Sequence, residues 1–187
     1  MEIFVRPAGP VDAEAIAEVQ RLSWRAAYAQ MLSPESLARV ETAWDSRHWR
    51  HSLERTDDRA VQLVLDGRDH GVVGFGVAGP RRSARDPVLR DYQGEIYLLY
   101  LLPRFQRQGL GARLMASLAR VLKARGLESA LVWALAANRP AIEFYQHLSG
   151  TMLTQSRKPF FGESVDEVAL GWSDISVLAA LHRNQPG

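Results

Sequence analysis

EIYLLYLLPRFQRQGLGARLM, residues 95–115, runs as an apolar strand through Pro103 into a basic turn that carries two glycines, and then opens a helix. The first backbone N–H groups of a helix have no partner and its dipole is positive there, so this turn is a seat for an anion such as a diphosphate. Gly109 and Gly111 matter because a side chain at either position would hold the anion away from those amides. Arg107 adds positive charge at the rim.

Length and composition bound what can surround this segment. At 187 residues with 47% hydrophobic content, the chain suits one domain that buries roughly 70% of its unfolded surface. It contains no cysteine, which excludes a disulfide scaffold, a thiol nucleophile and a Cys-ligated zinc site. The opening MEIFVRPAGPVDAEAI lacks a basic stretch followed by an apolar core, and nowhere do about 18 apolar residues run together. A cytoplasmic protein with no membrane partner is therefore expected. The formal charge of +2 calls for no nucleic-acid partner.

Outward from the quoted stretch, strands and helices alternate. A short strand ends near Val5, and a helix after Pro10 and Asp12 places Ile16, Val19, Leu22 and Ala26 on one face. Ser33 as cap with Pro34 at the first helical position starts the next helix, with Leu37, Val40, Trp44 and His48 following at helical spacing. AVQLVL (60–65) and GVVGFGVA (71–78), separated by Asp66-Gly67 and its neighbours, read as a hairpin. Beyond the polar loop PRRSARDPVLRDYQG come the strand 95–102, a helix from about Gly109 to Ala124 closed by Gly126, the strand SALVWALA, and a helix from about Arg139 to Leu148. Two more strands lie near 152–157 and 165–172. The domain spans 1–172, and the tail 173–187, with Ile175, Leu178 and Leu181 at helical spacing, is a terminal helix or an extension.

Two motifs now resemble a family. Strand, Pro103, then Gln106-Arg107-Gln108-Gly109-Leu110-Gly111 is similar to the Q/R-x-x-G-x-G/A signature of the GNAT superfamily of N-acetyltransferases, and Asn138-Arg139-Pro140-Ala141-Ile142-Glu143-Phe144-Tyr145 resembles its N-x-x-A-x-x-F-Y segment. SWRAAYAQML (23–32) and EVALGW (167–172) extend the likeness over nearly the whole chain. The resemblance implies an α/β (α+β) fold with a mixed, strongly twisted sheet of about seven strands flanked by helices, splayed between the fourth and fifth. It implies acetyl-CoA as co-substrate and no metal. Pantetheine would lie in the gap against backbone groups of Leu99, Tyr100 and Leu101, with the diphosphate cradled from Arg107 to Ala112 by Arg107, Gln108, Gly109, Leu110, Gly111 and Ala112, beside Gln106.

The chemistry adds its own requirements. A primary amine is mostly protonated at neutral pH, so a base or a water chain must take a proton before attack on the thioester. The resemblance makes Glu95 that base; its other reading is a solvated carboxylate at a strand end. Where some members carry a glutamate on the fifth strand, this chain has Trp133, which cannot accept a proton. Tyr145 matches the family's proton donor to the departing thiolate, against an alternative role in the core. Asn138 binds the coenzyme or caps its helix, and a main-chain N–H near Leu101 meets the developing oxyanion.

Other motifs fail on context. Gly74-Phe75-Gly76-Val77-Ala78-Gly79 fits G-x-G-x-x-G, yet Pro80-Arg81-Arg82-Ser83 follows instead of a helix, so these glycines read as aids to close strand packing. His48 and His51 lack a third metal ligand. On the acceptor side the resemblance puts Trp24, Tyr28 and Met31, an aromatic wall that suits a cation, an apolar chain or plain helix packing. Arg81, Arg82, Arg85 and Arg90 could meet the coenzyme's 3′-phosphate, an anionic acceptor or water. The expected acceptor is a primary amine of a small molecule or peptide. Transfer of another acyl group and a non-catalytic acyl-CoA-binding regulator are the alternatives, and an apolar tail helix or strand edge offers a surface for a homodimer.

Overall fold

The computed structural model describes residues 3–43, 45–55, 60–66, 71–82 and 87–181. The expectations for Trp44, Gly67, Arg85 and residues 182–187 fall outside them. Seven strands form one sheet: β1 (Ile3–Pro7), β2 (Ala60–Asp66), β3 (Gly71–Pro80), β4 (Gly94–Leu101), β5 (Ala130–Leu135), β6 (Thr151–Phe160) and β7 (Glu163–Trp172), in spatial order β1-β2-β3-β4-β5-β7-β6. The helices are α1 (Ala13–Tyr28), α2 (Pro34–Ala43), α3 (Ser46–Glu54), α4 (Leu110–Ala124), α5 (Arg139–His147) and the short α6 (Ser176–Ala179).

Local chemistry sets the helix ends. Ser33 Oγ accepts the Ser36 N–H at 3.2 Å and Asn138 Oδ1 accepts the Ala141 N–H at 3.2 Å, each quenching an orphan donor of a first turn. Asp45 Oδ1 accepts the His48 N–H at 2.9 Å, so a new helix starts there. His48 consequently belongs to α3 rather than to the expected continuation of α2. Gly126 closes α4 at φ +76°, where a side chain would be strained.

Helices cover both faces of the sheet. On one, α4 buries Leu114, Met115, Leu118 and Leu122 completely, and Ile142 and Tyr145 of α5 join the same core with Val168, Leu170 and Trp172 of β7. Each such side chain contributes about 1.5–3 kcal/mol relative to exposure, which fixes α4 firmly on the sheet. Gly76 makes the fit possible, because a Cβ there would lie 2.7 Å from Leu118 Cδ1. Gly74 is similarly pressed by Leu101 Cδ2 at 2.5 Å, so the glycine-rich strand does serve close packing. Ile175 and Leu178 of the tail are fully buried in this core, and Leu178 lies in α6.

On the opposite face α1 packs with α3, on a face that keeps Ile16 and Val19 of the expected stripe but not Leu22 and Ala26. Leu22 is 37% exposed and Ala26 is exposed, while Ile16, Val19, Gln20, Ser23 and Trp24 are buried. Two polar residues occupy core positions because each is hydrogen-bonded: Gln20 Oε1 accepts Trp49 Nε1–H at 2.8 Å, and Ser23 Oγ donates to the Leu101 carbonyl at 3.1 Å. Apolar periodicity alone could not see this face.

One irregularity positions the site. β3 and β4 pair Val77 with Leu98 and Ala78 with Ile96, so Tyr97 is an extra residue, and such a bulge bends its strand and sharpens the twist. β4 and β5 are parallel and pair only at Gly94–Ala130, Glu95–Leu131 and Ile96–Val132. Beyond Ile96 the two strands part. Both continue, β4 to Leu101 and β5 to Leu135, with an open wedge between them.

Candidate active site

The turn from Arg107 to Ala112, where the sequence leads one to expect an anion seat, lies at the wide end of that wedge. After a turn at Pro103–Phe105, Arg107 and Gly109 both take left-handed conformations (φ +58° and +77°), and α4 begins at Leu110. Arg113 N–H is bonded to the Gly109 carbonyl at 3.1 Å, so the N–H groups of Leu110, Gly111 and Ala112 precede the first closed helical turn. Gln106 Nε2 donates to the Leu101 carbonyl at 3.1 Å and Gln108 Nε2 to the Arg104 carbonyl at 2.9 Å, so these side chains brace the loop. The glycines have separate tasks. A Cβ on Gly109 meets no atom of the described residues within 4 Å, whereas one on Gly111 would lie 3.1 Å from Phe144 Cζ. Gly111 therefore lets α5 approach α4, a reason the sequence reading did not contain.

Strand alternation decides which main-chain groups line the wedge. Leu102 N–H bonds to the Val73 carbonyl at 2.9 Å, which turns the polar groups of Leu102 and Tyr100 toward β3 and those of Leu101 and Leu99 toward the wedge. Of the three residues expected to present backbone there, Tyr100 thus commits its main chain to the sheet. The Leu101 carbonyl is already held by Ser23 and Gln106. What faces the opening is the Leu101 N–H and both groups of Leu99.

Three phenols gather around the opening. Tyr145 reaches it from α5, its ring edge-on to Trp172 at 6.2 Å, and Tyr28 comes from α1 on the other face. Burial pushes the Tyr145 phenol well above its ordinary value near 10, and the Tyr28 hydroxyl adds to the effect. Two helices on opposite faces sense one another where the sheet is parted. Tyr28 is likewise raised by burial, an effect that hydrogen bonding with Asn138 and Tyr100 reduces and the Glu167 carboxylate reinforces. Tyr100 is raised well above its ordinary value, again chiefly by burial. Asn138 thereby does two things, capping α5 and meeting Tyr28.

Trp24 stands over this cluster, 4.6 Å from Tyr28, 6.2 Å from Tyr100 and stacked on Phe160 at 5.7 Å with an interplanar angle of 3°. Its indole N–H is buried and meets no acceptor at hydrogen-bonding geometry among the described residues. Met31 sits farther out, lining a cavity of about 200 Å³ with Leu135, Ala136, Ala137 and residues Glu163–Asp166. Lys158 Nζ and the buried Glu167 carboxylate pair at 2.7 Å on the same sheet face, where Glu167 is opposite Leu135. Phe160, Lys158 and Glu167 were not foreseen, because they come from the last hairpin, where no motif marks them.

Glu95 lies at the closed end of the wedge and is only 4% exposed, which departs from a solvated strand-end carboxylate. Its Oε2 accepts the Arg82 main-chain N–H at 3.0 Å, and its Oε1 accepts Arg82 Nε and Nη2 at 3.1 and 2.7 Å. The Arg82 guanidinium also covers the Tyr97 ring at 3.9 Å. Trp133 is on the Glu95 face of the sheet, next to Leu89, Leu131 and Ala169. His48 and His51 are exposed on α3, and among the described residues no three potential ligands converge on a metal position. Nor does any helix among those residues have the length and apolarity to cross a membrane.

Comparison with known proteins fits this geometry. Residues 16–150 match the Acetyltransferase (GNAT) family. The uncharacterised N-acetyltransferase YuaI of Bacillus subtilis (strain 168) is 33% identical over 181 residues, covering 96% of this chain and 98% of that protein. Phosphinothricin N-acetyltransferase of Streptomyces viridochromogenes is 26% identical over 176 residues, covering 92% and 84%. Among solved structures, the PaiA N-acetyltransferase of Thermoplasma acidophilum in complex with coenzyme A superposes with a TM-score of 0.72 at 18% identity, over 92% of this chain and 100% of that one. YncA of Salmonella typhimurium with acetyl-CoA gives 0.68 at 19% identity, over 92% and 94%. At such identities the two structures speak for the fold.

Proposed function

Since the chain belongs to the GNAT acetyltransferase family, we propose that it transfers the acetyl group of acetyl-CoA to a primary amine of a small molecule or peptide by direct attack. The observation that carries this reading is the parting of β4 from β5 after Ile96, with an anion seat at its wide end and Tyr145 beside it. The N–H groups at Leu110–Ala112 hold the diphosphate. Pantetheine pairs with Leu99 and with the Leu101 N–H, as a strand would.

Glu95 takes a proton from the acceptor ammonium, directly or through a water. Its Oε2 accepts only the Arg82 main-chain N–H among the described residues and keeps a lone pair for this purpose. The free amine then forms the C–N bond, the C–S bond breaks, and the second amine proton accompanies the departing sulfur. Tyr145 has a modified part in that step. An ordinary thiol titrates near ~8.5, so full proton transfer from a phenol raised above ~10 runs uphill. Tyr145 instead donates a hydrogen bond to the sulfur as charge develops and stays protonated throughout.

Thiol release from acetyl-CoA, followed against a panel of amines, tests the reading. Glu95→Gln should lower kcat by about 10²–10⁴ and Tyr145→Phe by about 10², with coenzyme A affinity retained in both. Coenzyme binding with no turnover on any amine would favour a regulator instead.

A further inference from the structure

The thioester carbonyl lies one bond from the sulfur that Tyr145 meets, and attack by the amine turns its oxygen into an anion that needs a donor. Pantetheine already engages the Leu101 N–H. Beside Tyr145 stands the Tyr28 hydroxyl, the group that adds to the effect of burial on the Tyr145 phenol. Tyr28 is the last residue of α1, and its carbonyl accepts the Met31 and Leu32 N–H groups at 2.9 and 3.0 Å, which fixes its backbone. Its ring is 4.6 Å from that of Trp24, itself stacked on Phe160. It packs in one cluster with Tyr100 of β4 and Leu135 of β5, so it bridges those strands where the sheet is parted.

The direction of the Tyr28 proton decides its chemistry. Asn138 spends its Oδ1 on the Ala141 N–H at 3.2 Å, so toward Tyr28 it has only an amide N–H to offer. Tyr100 is a donor as well. Burial raises both phenols, and beyond it their hydrogen bond raises Tyr100 and lowers Tyr28, as follows when Tyr100 gives the proton and Tyr28 receives it. The Tyr28 oxygen thus accepts twice, and its own O–H is left to donate away from both partners. Glu167 does not take that proton: it acts on Tyr28 through its charge alone, and Lys158 Nζ pairs with it at 2.7 Å.

We propose that the Tyr28 hydroxyl is the oxyanion donor of the reaction, reaching the thioester carbonyl from α1 while Tyr145 meets the sulfur from α5. The inference rests on the acetyl-transfer reading above. As the amine nitrogen bonds to the carbonyl carbon, the C=O electron pair moves onto oxygen and the hydrogen bond from Tyr28 strengthens. The pair returns to carbon as the C–S bond breaks, and Tyr28 ends with the proton it began with. Burial keeps the phenol protonated, so it is a donor in place before charge develops. A place in an aromatic acceptor wall would use the ring of Tyr28 and not its oxygen.

Tyr28→Phe keeps the ring and removes only that donor. For any amine the wild type acetylates, it should lower kcat by about 10²–10³ and leave KM for the amine and Kd for coenzyme A little changed. The infrared spectrum of bound acetyl-CoA, isolated by isotope labelling of its carbonyl, reads the same contact with no amine present. Its C=O stretch should lie at lower frequency on the wild-type protein than on Tyr28→Phe. Asn138→Asp retains a cap for α5 but offers Tyr28 an acceptor in place of a donor, so it should turn the proton inward and shift the stretch as Tyr28→Phe does. An identical stretch on all three proteins, or a Tyr28→Phe enzyme with raised KM and unchanged kcat, would overturn the oxyanion role and leave acetyl transfer intact. Acetyl-CoA that fails to bind the wild-type protein would overturn this inference and the acetyl-transfer reading together.

Discussion

Alanine at Gly109 separates the ligand's demand on the turn from the protein's own. The backbone there has φ +77° and ψ −6°, so any residue with a Cβ is strained by about 1–2 kcal/mol. For a chain of this size that corresponds to a fall in Tm of roughly 2–8 °C. No atom of the described residues lies within 4 Å of the added methyl, so no steric cost from them joins the strain. The strain is present with and without ligand and cancels in the binding equilibrium. Any loss of affinity accordingly reports a clash with the ligand itself. If the diphosphate rests on the N–H groups that follow, the methyl costs one charge-assisted hydrogen bond, about 1.5–3 kcal/mol, or roughly ten- to a hundredfold in Kd. Gly111→Ala is the control. Its methyl meets Phe144 at 3.1 Å and tests helix packing instead. Calorimetric titration with coenzyme A, together with thermal melting, measures both. A Gly109→Ala protein that melts lower yet binds coenzyme A as tightly as wild type would refute the placement of the diphosphate.

Two pH effects follow from the charged and phenolic groups. Tyr28, Tyr100 and Tyr145 are all raised in the folded protein, so above pH ~10 the folded chain keeps protons that the unfolded chain has lost, and stability falls as pH rises. The slope approaches about 1.4 kcal/mol per pH unit for each phenol, and Tyr145→Phe should flatten it in melting curves taken between pH 9 and 11.5. A slope unchanged by the substitution would contradict the burial of that hydroxyl. Asp12 works in the opposite sense. Hydrogen bonds from the Arg6 guanidinium, at 2.7 and 2.8 Å, hold its carboxyl below the usual range, so its contribution is present above pH ~3.9 and disappears as acid protonates it. Asp12→Asn should cost about 1 kcal/mol at pH 7, since Arg6 is partly exposed, and the two melting curves should converge toward pH 2. Removing Ser23 Oγ by Ser23→Ala frees one bond on the Leu101 carbonyl and should destabilise by about 1 kcal/mol in chemical denaturation.

Much of this was legible before any coordinates. The strand, proline and double-glycine turn at 95–111 located β4 and the start of α4, because such a bend demands particular residue types at fixed spacing. Asn138, a preferred cap residue, marked the start of α5. Of the α1 stripe, Ile16 and Val19 were legible and Leu22 and Ala26 were not buried as expected, since Gln20 and Ser23 enter the core through hydrogen bonds that no hydropathy pattern encodes. The bulge at Tyr97 left no trace in composition, yet it is what turns Leu99 and Leu101 toward the wedge. Arg82 was one of several arginines in a polar loop until folding put it on Glu95, 13 positions away. Contacts of that kind depend on which strands become neighbours, and sequence spacing says little about them.

A crystal of the protein soaked with coenzyme A tests the central claim most directly. Phosphate density on the main-chain nitrogens of Leu110, Gly111 and Ala112, with the pantetheine arm running between β4 and β5 past Leu99, is the expected result. Coenzyme bound elsewhere while the wedge beyond Ile96 stays closed to it would contradict the account.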